Sequence, residues 1–233
     1  MKAAHARDAA VWQSAALLLG YPDDRLLGDM PTVHRILGHL SAAAAEPLHR
    51  VAEHLATTPL TDLQTAYVET FDTRRRHNLY LTYFAHGDTR KRGAALLRFK
   101  QTYLRAGFAL DADDGGELPD HLCVVLEFAA TVDHDAGRAL LLDHRAGLEL
   151  LRLSLTESRS PWAGAPEAVC STLPALHGDE WDAVRRLAAE GPPAEEVGLS
   201  PYGGPAFDAR LHEATHPETT DLPMPVLRQG AHR

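Results

Sequence analysis

The chain has only two cysteines and no long apolar run. Cys123 and Cys170 form neither a CxxC pair nor a disulfide framework, and both lie in apolar stretches with helical spacing. We therefore expect two reduced thiols in the protein core. No stretch reaches the ~18 apolar residues of a membrane-spanning helix, and charged residues near the N-terminus occupy the positions where an export signal has its apolar run. These absences predict a cytoplasmic protein.

Sequence signatures of catalysis are also missing. The chain has no GxxxxGK[ST] phosphate loop, no GxGxxG, no GxSxG and no HExxH. Its fourteen histidines show no zinc-like spacing with a cysteine or with a second histidine on the same helix face, so we expect no metal site. His86, Asp88 and His121 would form a general acid–base set only if the fold brought them together. The sequence therefore favours a binding protein over an enzyme, with a small helical hydrolase as an alternative.

Helical periodicity dominates the sequence, and no segment alternates as a strand does. We predict an all-α fold, with a single helical, bundle-like domain over residues 1–190 and no internal repeat. Five glycines and seven prolines fall in the last 43 residues, and this composition does not suit a regular core element. Residues 191–233 are therefore predicted to form a disordered or loosely packed tail.

Proline, glycine and capping residues predict where the helices begin and end. The first helix should start at residue 8 and end before Gly20, and two short helices should follow on either side of Pro31. Another should begin at Pro47, because proline suits a first helical turn. Residues 61–64 have the capping-box pattern, which predicts the start of the next helix. Further helices are predicted at 88–107, 135–158, 166–173 and 179–190.

Charge is distributed unevenly along the chain. Residues 72–105 contain nine lysines and arginines and two aspartates, a net +7, whereas the whole chain carries −9 and the remainder therefore −16. The pI near 5.8 argues against nucleic-acid binding. Beside a helix N-terminus, basic side chains suit phosphate oxygens, although a solvated face is the alternative. The candidate anion-binding residues are Arg74, Arg75, Arg76, His86, Arg90, Lys91 and Arg92.

The motif ELPDHL at residues 117–122 predicts a second candidate site. Pro119 should preset the backbone for a helix start, with Asp120 in the first turn, where a negative charge is favourable by about 0.3–1 kcal/mol. Glu117 should lie just outside this helix, with its carboxylate facing a groove. The alternative is a helix start with no further role.

Several long blocks of the sequence resemble one known family. YVETFD, LYLTYFAHGDTRKRG, LLRFKQ, ELPDHL and VLEFAA together resemble the molybdenum-cofactor assembly chaperones of nitrate reductase, the NarJ or delta-subunit family. This family belongs to a wider group of all-helical chaperones for molybdenum reductases. The resemblance covers residues 11–159 and includes LLLGYPDDRL near the N-terminus.

The resemblance implies a dedicated chaperone without enzymatic activity. Such proteins bind the apo catalytic (alpha) subunit of nitrate reductase, chiefly through its N-terminal peptide. They keep it competent for insertion of the bis(molybdopterin guanine dinucleotide) cofactor and for later membrane assembly. The chaperone itself is expected to bind no cofactor permanently and to contact this one at most transiently. It is expected neither to bind nucleic acid nor to insert into the membrane.

The resemblance also implies binding residues. In the wider group an acidic-proline-x-Asp-His motif lies at the peptide-binding region, and an aromatic helix lines the groove. The matching client-peptide residues here are Tyr67, Phe71, Glu117, Pro119, Asp120 and His121. The basic clusters would then face acidic client surface or the pyrophosphate of the cofactor. A helical ligand-responsive regulator is a further alternative, which would require a basic recognition helix.

Overall fold

A computed structural model describes residues 2–110 and 117–191. Within these ranges the backbone forms eleven α-helices, two short 3₁₀ turns and no β-strand, which confirms the predicted all-α fold. The predicted tail lies outside the described residues, apart from residue 191. No helix in either range combines the length and the apolar character needed to cross a membrane.

The helices are numbered in chain order. They are α1 (Lys2–Leu18), α2 (Asp24–Leu37), α3 (Ala42–Thr57), α4 (Leu60–Phe71), α5 (Leu81–His86), α6 (Arg90–Arg105), α7 (Leu122–Thr131), α8 (His134–Asp143), α9 (Arg145–Glu157), α10 (Gly164–Ser171) and α11 (Asp179–Glu190). The 3₁₀ turns are Arg75–His77 and Pro161–Ala163. The last helix has the predicted bounds.

Two helices contain an internal proline that the sequence analysis took for a helix end. Helix α2 continues through Pro31, and α3 begins before Pro47. The predicted break at the first proline and the predicted start at the second were therefore wrong. Met30 and Val33 beside Pro31 are both buried. Packing of the apolar face of α2 therefore offsets the loss of the helical hydrogen bond that proline cannot donate.

Helix α4 begins two residues earlier than its capping-box pattern predicts, since that pattern would make Thr61 the N-cap. Pro59 occupies the N-cap position, and no side chain caps the first turn. The amide Nε2 of Gln64 instead donates to the carbonyl oxygen of Pro22 at 3.0 Å. The predicted capping box was thus wrong, but the apolar face was right, since Tyr67 and Phe71 are buried.

The single helix predicted over 135–158 is divided in two at His144. The backbone there leaves helical geometry (φ −111°, ψ 20°), and Nδ1 of the same residue lies 3.0 Å from the Leu140 carbonyl oxygen. The bend brings Gly147 so close to Phe84 that a side chain larger than hydrogen would collide with the ring. The long-helix prediction was wrong because this packing against α5 lies far away in the sequence.

Helix α1 lies at the centre of the core. It packs against α2, α3, α7 and α10, and its Trp12 is fully buried. Helix α9 packs against α5, α10 and α11. Both cysteines are free thiols; Cys170 is buried in the core as predicted, whereas Cys123 is only half-buried and the prediction of a core position was wrong for it. The candidate site lies between the ends of α1 and α4 and the start of α7.

Candidate functional site

A groove opens between the end of α1, the second half of α4, the segment 78–80 and the first turns of α7. Its volume is about 700 Å³. Four of the six residues predicted to contact a client line it: Tyr67, Phe71, Glu117 and His121. The other two, Pro119 and Asp120, are buried and do not line it.

The floor of the groove is aromatic. The rings of Tyr67 and Phe71 lie 4.6 Å apart, and Tyr21 meets the Tyr67 ring edge-on at 5.4 Å. The Tyr67 hydroxyl donates to the Leu19 carbonyl oxygen at 2.9 Å, and burial raises the pKa of this phenol, so it stays protonated. Behind the floor, the buried Trp162 contacts both rings. The floor is thus an apolar surface, and the hydroxyl of Tyr67 within it is already hydrogen-bonded.

One wall of the groove carries an oriented carboxylate. The Tyr80 hydroxyl donates to Oε2 of Glu117 at 2.9 Å. On the same wall, the ring of His121 meets the Tyr80 ring edge-on at 5.1 Å. Burial lowers the pKa of His121 more strongly than the nearby carboxylates raise it, so its ring is neutral at neutral pH. The wall therefore offers a fixed negative charge beside an uncharged imidazole.

Pro119 and Asp120 do not begin a helix, which corrects the sequence interpretation. Helix α7 starts at Leu122, and the residues before it pair with the segment before α5. The amide of Leu81 donates to the Asp120 carbonyl oxygen at 3.0 Å, and that of Leu122 donates to Leu79 at 2.8 Å. The Pro119 carbonyl oxygen accepts from Tyr103 at 2.6 Å. Backbone pairing across a sequence separation of about forty residues, which no local pattern encodes, therefore shapes this wall.

The Asp120 carboxylate anchors the wall from inside the protein. It is fully buried, and its Oδ2 accepts from the amide of Thr82 at 3.1 Å and from the hydroxyl of the same residue at 2.5 Å. Arg92 donates from Nε to the Thr82 hydroxyl at 3.2 Å and places Nη2 3.7 Å from Oδ2. The negative charge of Asp120 is thus paired inside the fold and does not face the groove.

The charges that do face the groove are negative. Three carboxylate side chains line it, those of Asp72, Glu117 and Glu127, and no lysine or arginine is among its described lining residues. Cys123 also lines it, and burial raises the pKa of this thiol to about 12, so it is protonated at neutral pH. An apolar floor beneath an acidic rim suits an amphipathic, positively charged segment.

Comparison with known proteins identifies the family. Residues 37–166, more than half of the chain, match the family model described as the nitrate reductase delta subunit. The chain belongs to this family. The matched region runs from the end of α2 to the start of α10 and includes the aromatic floor on α4 and the ELPDHL motif.

Individual relatives of this delta-subunit chain differ in length. The nitrate reductase-like protein NarX of Mycobacterium tuberculosis is 46% identical over 162 residues, which cover 70% of this chain but only 24% of that protein. The nitrate reductase molybdenum cofactor assembly chaperone NarJ of Escherichia coli K12 is 30% identical over 149 residues, covering 63% of this chain and 62% of NarJ. This chain therefore spans about a quarter of its mycobacterial relative.

A solved structure shares the fold. It is described as a redox enzyme maturation protein from Archaeoglobus fulgidus, and it aligns with a TM-score of 0.50 at 24% identity. The alignment covers 70% of this chain and 91% of that one. At this level of identity the likeness establishes the helical architecture of the delta-subunit chain.

The first basic cluster lies apart from the groove. Arg74, Arg75 and Arg76 border a separate depression of about 290 Å³ together with residues at the end of α9. Nη2 of Arg76 donates to the carbonyl oxygen of Ala188 near the end of α11 at 2.7 Å. Helices α4, α9 and α11 all end near the 3₁₀ turn Arg75–His77. Positive charge near helix C-termini is stabilising. This gives the cluster a structural role beside the predicted binding of anions or client.

The second basic cluster is divided between the surface and the interior. Lys91 and Arg90 are exposed at the start of α6, whereas the Arg92 side chain is only 15% exposed. Arg92 also pairs with Asp88 at 3.0 Å and lies over the ring of Tyr80 at 5.2 Å. Its charge thus supports the groove wall from behind, and anion binding by this cluster stays a prediction.

The hypothetical acid–base set of His86, Asp88 and His121 gains no support from the fold. Asp88 pairs with Arg92 and His121 packs against Tyr80, so these two members of the proposed acid–base set are engaged elsewhere. The third, His86, is half-buried at the end of α5.

One cluster of two histidines and an aspartate brings potential metal ligands close together. Among the described residues, His5, His134 and Asp135 place their ligand atoms within 4.8 Å of one another. The two imidazole rings, however, are stacked with an interplanar angle of 12°. Their in-plane lone pairs therefore run side by side and do not converge on one ion.

Sequence patterns did not reveal four of the groove residues, which are Tyr21, Asp72, Tyr80 and Glu127. Glu127 was detectable, because it is the one charged residue in the α7 sequence LCVVLEFAAT and lies one turn after the groove residue Cys123. Tyr21 and Tyr80 lie outside the helices, where no periodicity assigns a face. Only the tertiary fold places them at the groove.

Proposed function

We propose that this chain is an assembly chaperone whose groove binds the N-terminal peptide of the catalytic (alpha) subunit of nitrate reductase. Binding would keep the apo subunit competent for insertion of the molybdenum cofactor and for later membrane assembly, in the cytoplasm. The observation that carries the proposal is the aromatic floor beneath an acidic rim in a member of the delta-subunit family. The name of the Escherichia coli relative, a nitrate reductase molybdenum cofactor assembly chaperone, supports the choice of client.

The groove chemistry favours an amphipathic peptide. Apolar side chains would pack on the rings of Tyr67 and Phe71, since the Tyr67 hydroxyl is bonded to the backbone and unavailable. Lysine or arginine side chains would pair with Glu117 and with the other rim carboxylates. This is the helix-in-groove mode of recognition, in which apolar anchors give affinity and flanking charges give orientation.

The same groove offers little to a catalytic mechanism, which supports a role in binding. The Cys123 thiol is protonated, because burial raises its pKa to about 12, and a thiol is a weak nucleophile compared with its thiolate. Nδ1 of His121 is buried without a hydrogen-bond partner in the described part of the chain. We therefore propose that the protein is not an enzyme and holds no permanent cofactor.

Transient contact with the cofactor would involve the exposed part of the second basic cluster. Arg90 and Lys91 lie in the first turn of α6, where amide groups and positive side chains suit pyrophosphate oxygens. Replacing both with alanine should reduce cofactor loading of the client and leave peptide affinity unchanged. Unaltered loading in this double variant would remove the cofactor contact from the proposal, without affecting the peptide site.

The peptide site can be tested by calorimetric titration with the N-terminal peptide of the catalytic subunit from the same source. We expect micromolar affinity that weakens as salt is raised, because exposed charges are screened. A peptide with its lysines and arginines replaced by glutamate is the matched control and should not bind. Absence of binding by the natural peptide, or equal binding of both peptides, would contradict the proposed function.

A further inference from the structure

A second, smaller compartment continues the groove at its α1–α2 end. It has a volume of about 220 Å³ and lies between the last turn of α1, the first half of α2 and α7. Four residues line both compartments: Gly20, Tyr21, Cys123 and Glu127. The two spaces are therefore neighbours, and Tyr21, half of whose surface is exposed, stands at the boundary between them.

The second compartment is also acidic. Asp23, Asp29 and Glu127 line it, against a single positive side chain, that of Arg25. Asp23 has a structural role, because its carboxylate caps α2 by accepting from the amide of Leu26 at 2.7 Å. Asp29 and Glu127 have no such role, and no ion pair within the described residues neutralises either one.

Taken together, the two compartments present five carboxylates and one guanidinium to a shared space. Like charges on a common wall repel one another, and this repulsion is relieved when a cationic partner binds. The exposed ring of Tyr21 between the compartments is a further site for a cation, since aromatic faces attract lysine and arginine. The charge pattern thus selects a partner with positive side chains at two separated positions.

We infer that the client peptide extends past Tyr21 and places a second cationic side chain between Asp29 and Glu127. This inference rests on the proposed function and adds the length and charge pattern of the ligand. The bound segment has an apolar stretch over the aromatic floor, one positive side chain near Glu117 and another beyond Tyr21. A peptide that ends at the boundary fills only the first compartment.

The test compares one variant in each compartment. Glu117→Gln removes a charge found only in the first compartment, and Asp29→Asn removes one found only in the second. Both side chains are exposed and neither caps a helix, so thermal unfolding should be unchanged. Glu53→Gln on α3 is the matched control, because this exposed acid lines neither compartment.

The readout is the dissociation rate of the N-terminal client peptide, measured by surface plasmon resonance. Local contacts change the dissociation rate, whereas distant charges change mainly the association rate. We expect both groove variants to dissociate about two- to fivefold faster than the control. If Glu117→Gln accelerates dissociation and Asp29→Asn does not, the peptide stops at Tyr21 and the inference is overturned, while the proposed function stands. If the wild-type protein does not bind the peptide, the proposed function fails as well.

Discussion

The guanidinium group of Arg92 and the carboxylate of Asp120 form an ion pair beneath the groove wall, with Nη2 3.7 Å from Oδ2 and the aspartate fully buried. Thr82 links them through its hydroxyl, which donates to Asp120 and accepts from Nε of Arg92. The two residues belong to the two segments that the sequence analysis treated as separate sites. Their pairing turns one arginine of the basic cluster and the aspartate of ELPDHL into a single structural unit.

The first prediction is that Arg92→Ala destabilises the fold, because it leaves a buried carboxylate without its counter-charge. We expect the free energy of unfolding to fall by about 3–5 kcal/mol, measured by urea denaturation. Lys91→Ala, one residue away and exposed, is the control and should stay within about 0.5 kcal/mol of the wild type. An Arg92→Ala protein as stable as this control would show that the pair has no structural role.

The second prediction concerns the orientation of Glu117. Tyr80→Phe removes the hydroxyl that fixes this carboxylate, so client-peptide affinity should fall about two- to fivefold, while the free energy of unfolding changes by less than about 1 kcal/mol. The hydroxyl of Tyr83 makes no hydrogen bond within the described residues, so Tyr83→Phe is the control for peptide titration. Equal affinities of the two variants would mean that orientation of Glu117 is unimportant.

The third prediction tests the crossing of α3 and α10. A Cβ at Gly164 would collide with the backbone carbonyl of Pro47, which cannot move without shifting α3. Gly164→Ala should therefore lower the free energy of unfolding by about 1–3 kcal/mol or more. Gly28→Ala is the opposite control: nothing lies within 4 Å of its Cβ position in α2, and alanine should stabilise the helix by about 1 kcal/mol. Relative to the wild type, the unfolding temperature should fall for Gly164→Ala and rise for Gly28→Ala. A shift of both temperatures in the same direction would contradict this account of the packing.

The fourth prediction follows from two buried histidines. Burial lowers the pKa of His77 and of His121 below the ordinary value of 6.5. Below pH 6.5 the unfolded chain takes up protons that the folded protein excludes, so the free energy of unfolding should fall as the pH drops through this value. Above pH 6.5 these two histidines should have no effect on the free energy of unfolding. Each histidine contributes at most about 1.4 kcal/mol per pH unit.

This pH dependence is measurable by urea denaturation at about pH 7.5 and about pH 5.5. In the His77→Gln variant, the free energy of unfolding should differ less between the two pH values than it does in the wild type. Replacement of the exposed His39 should leave this difference unchanged. A wild-type protein with equal stability at both values would be inconsistent with buried, neutral imidazoles.

Local sequence patterns predicted the helices but not their junctions. The all-α fold, the buried face of α4 and the bounds of α11 follow from periodicity, which reports how each helix meets the core. Continuation through Pro31 and the bend at His144 depend on packing with other helices, so rules for isolated helix ends did not find them.

The candidate site shows the same division. Tyr67, Phe71, Glu117 and His121 line the groove together, although nothing but family resemblance indicated from the sequence that α4 lies beside ELPDHL. Asp120 was interpreted as a first-turn helix residue because its partner, Arg92, lies elsewhere in the chain. Contacts of this kind leave no local signature, and burial of the carboxylate becomes visible only in three dimensions.

Trp162 gives the protein an intrinsic fluorescent probe for its own ligand. The indole is completely shielded from solvent, and its ring lies 5.7 Å from that of Tyr67 and 5.6 Å from that of Phe71. Any occupant that shifts either floor ring will alter the surroundings of this indole, and its emission will follow the event in real time. Replacing the other two tryptophans with phenylalanine would isolate that signal without attaching a dye.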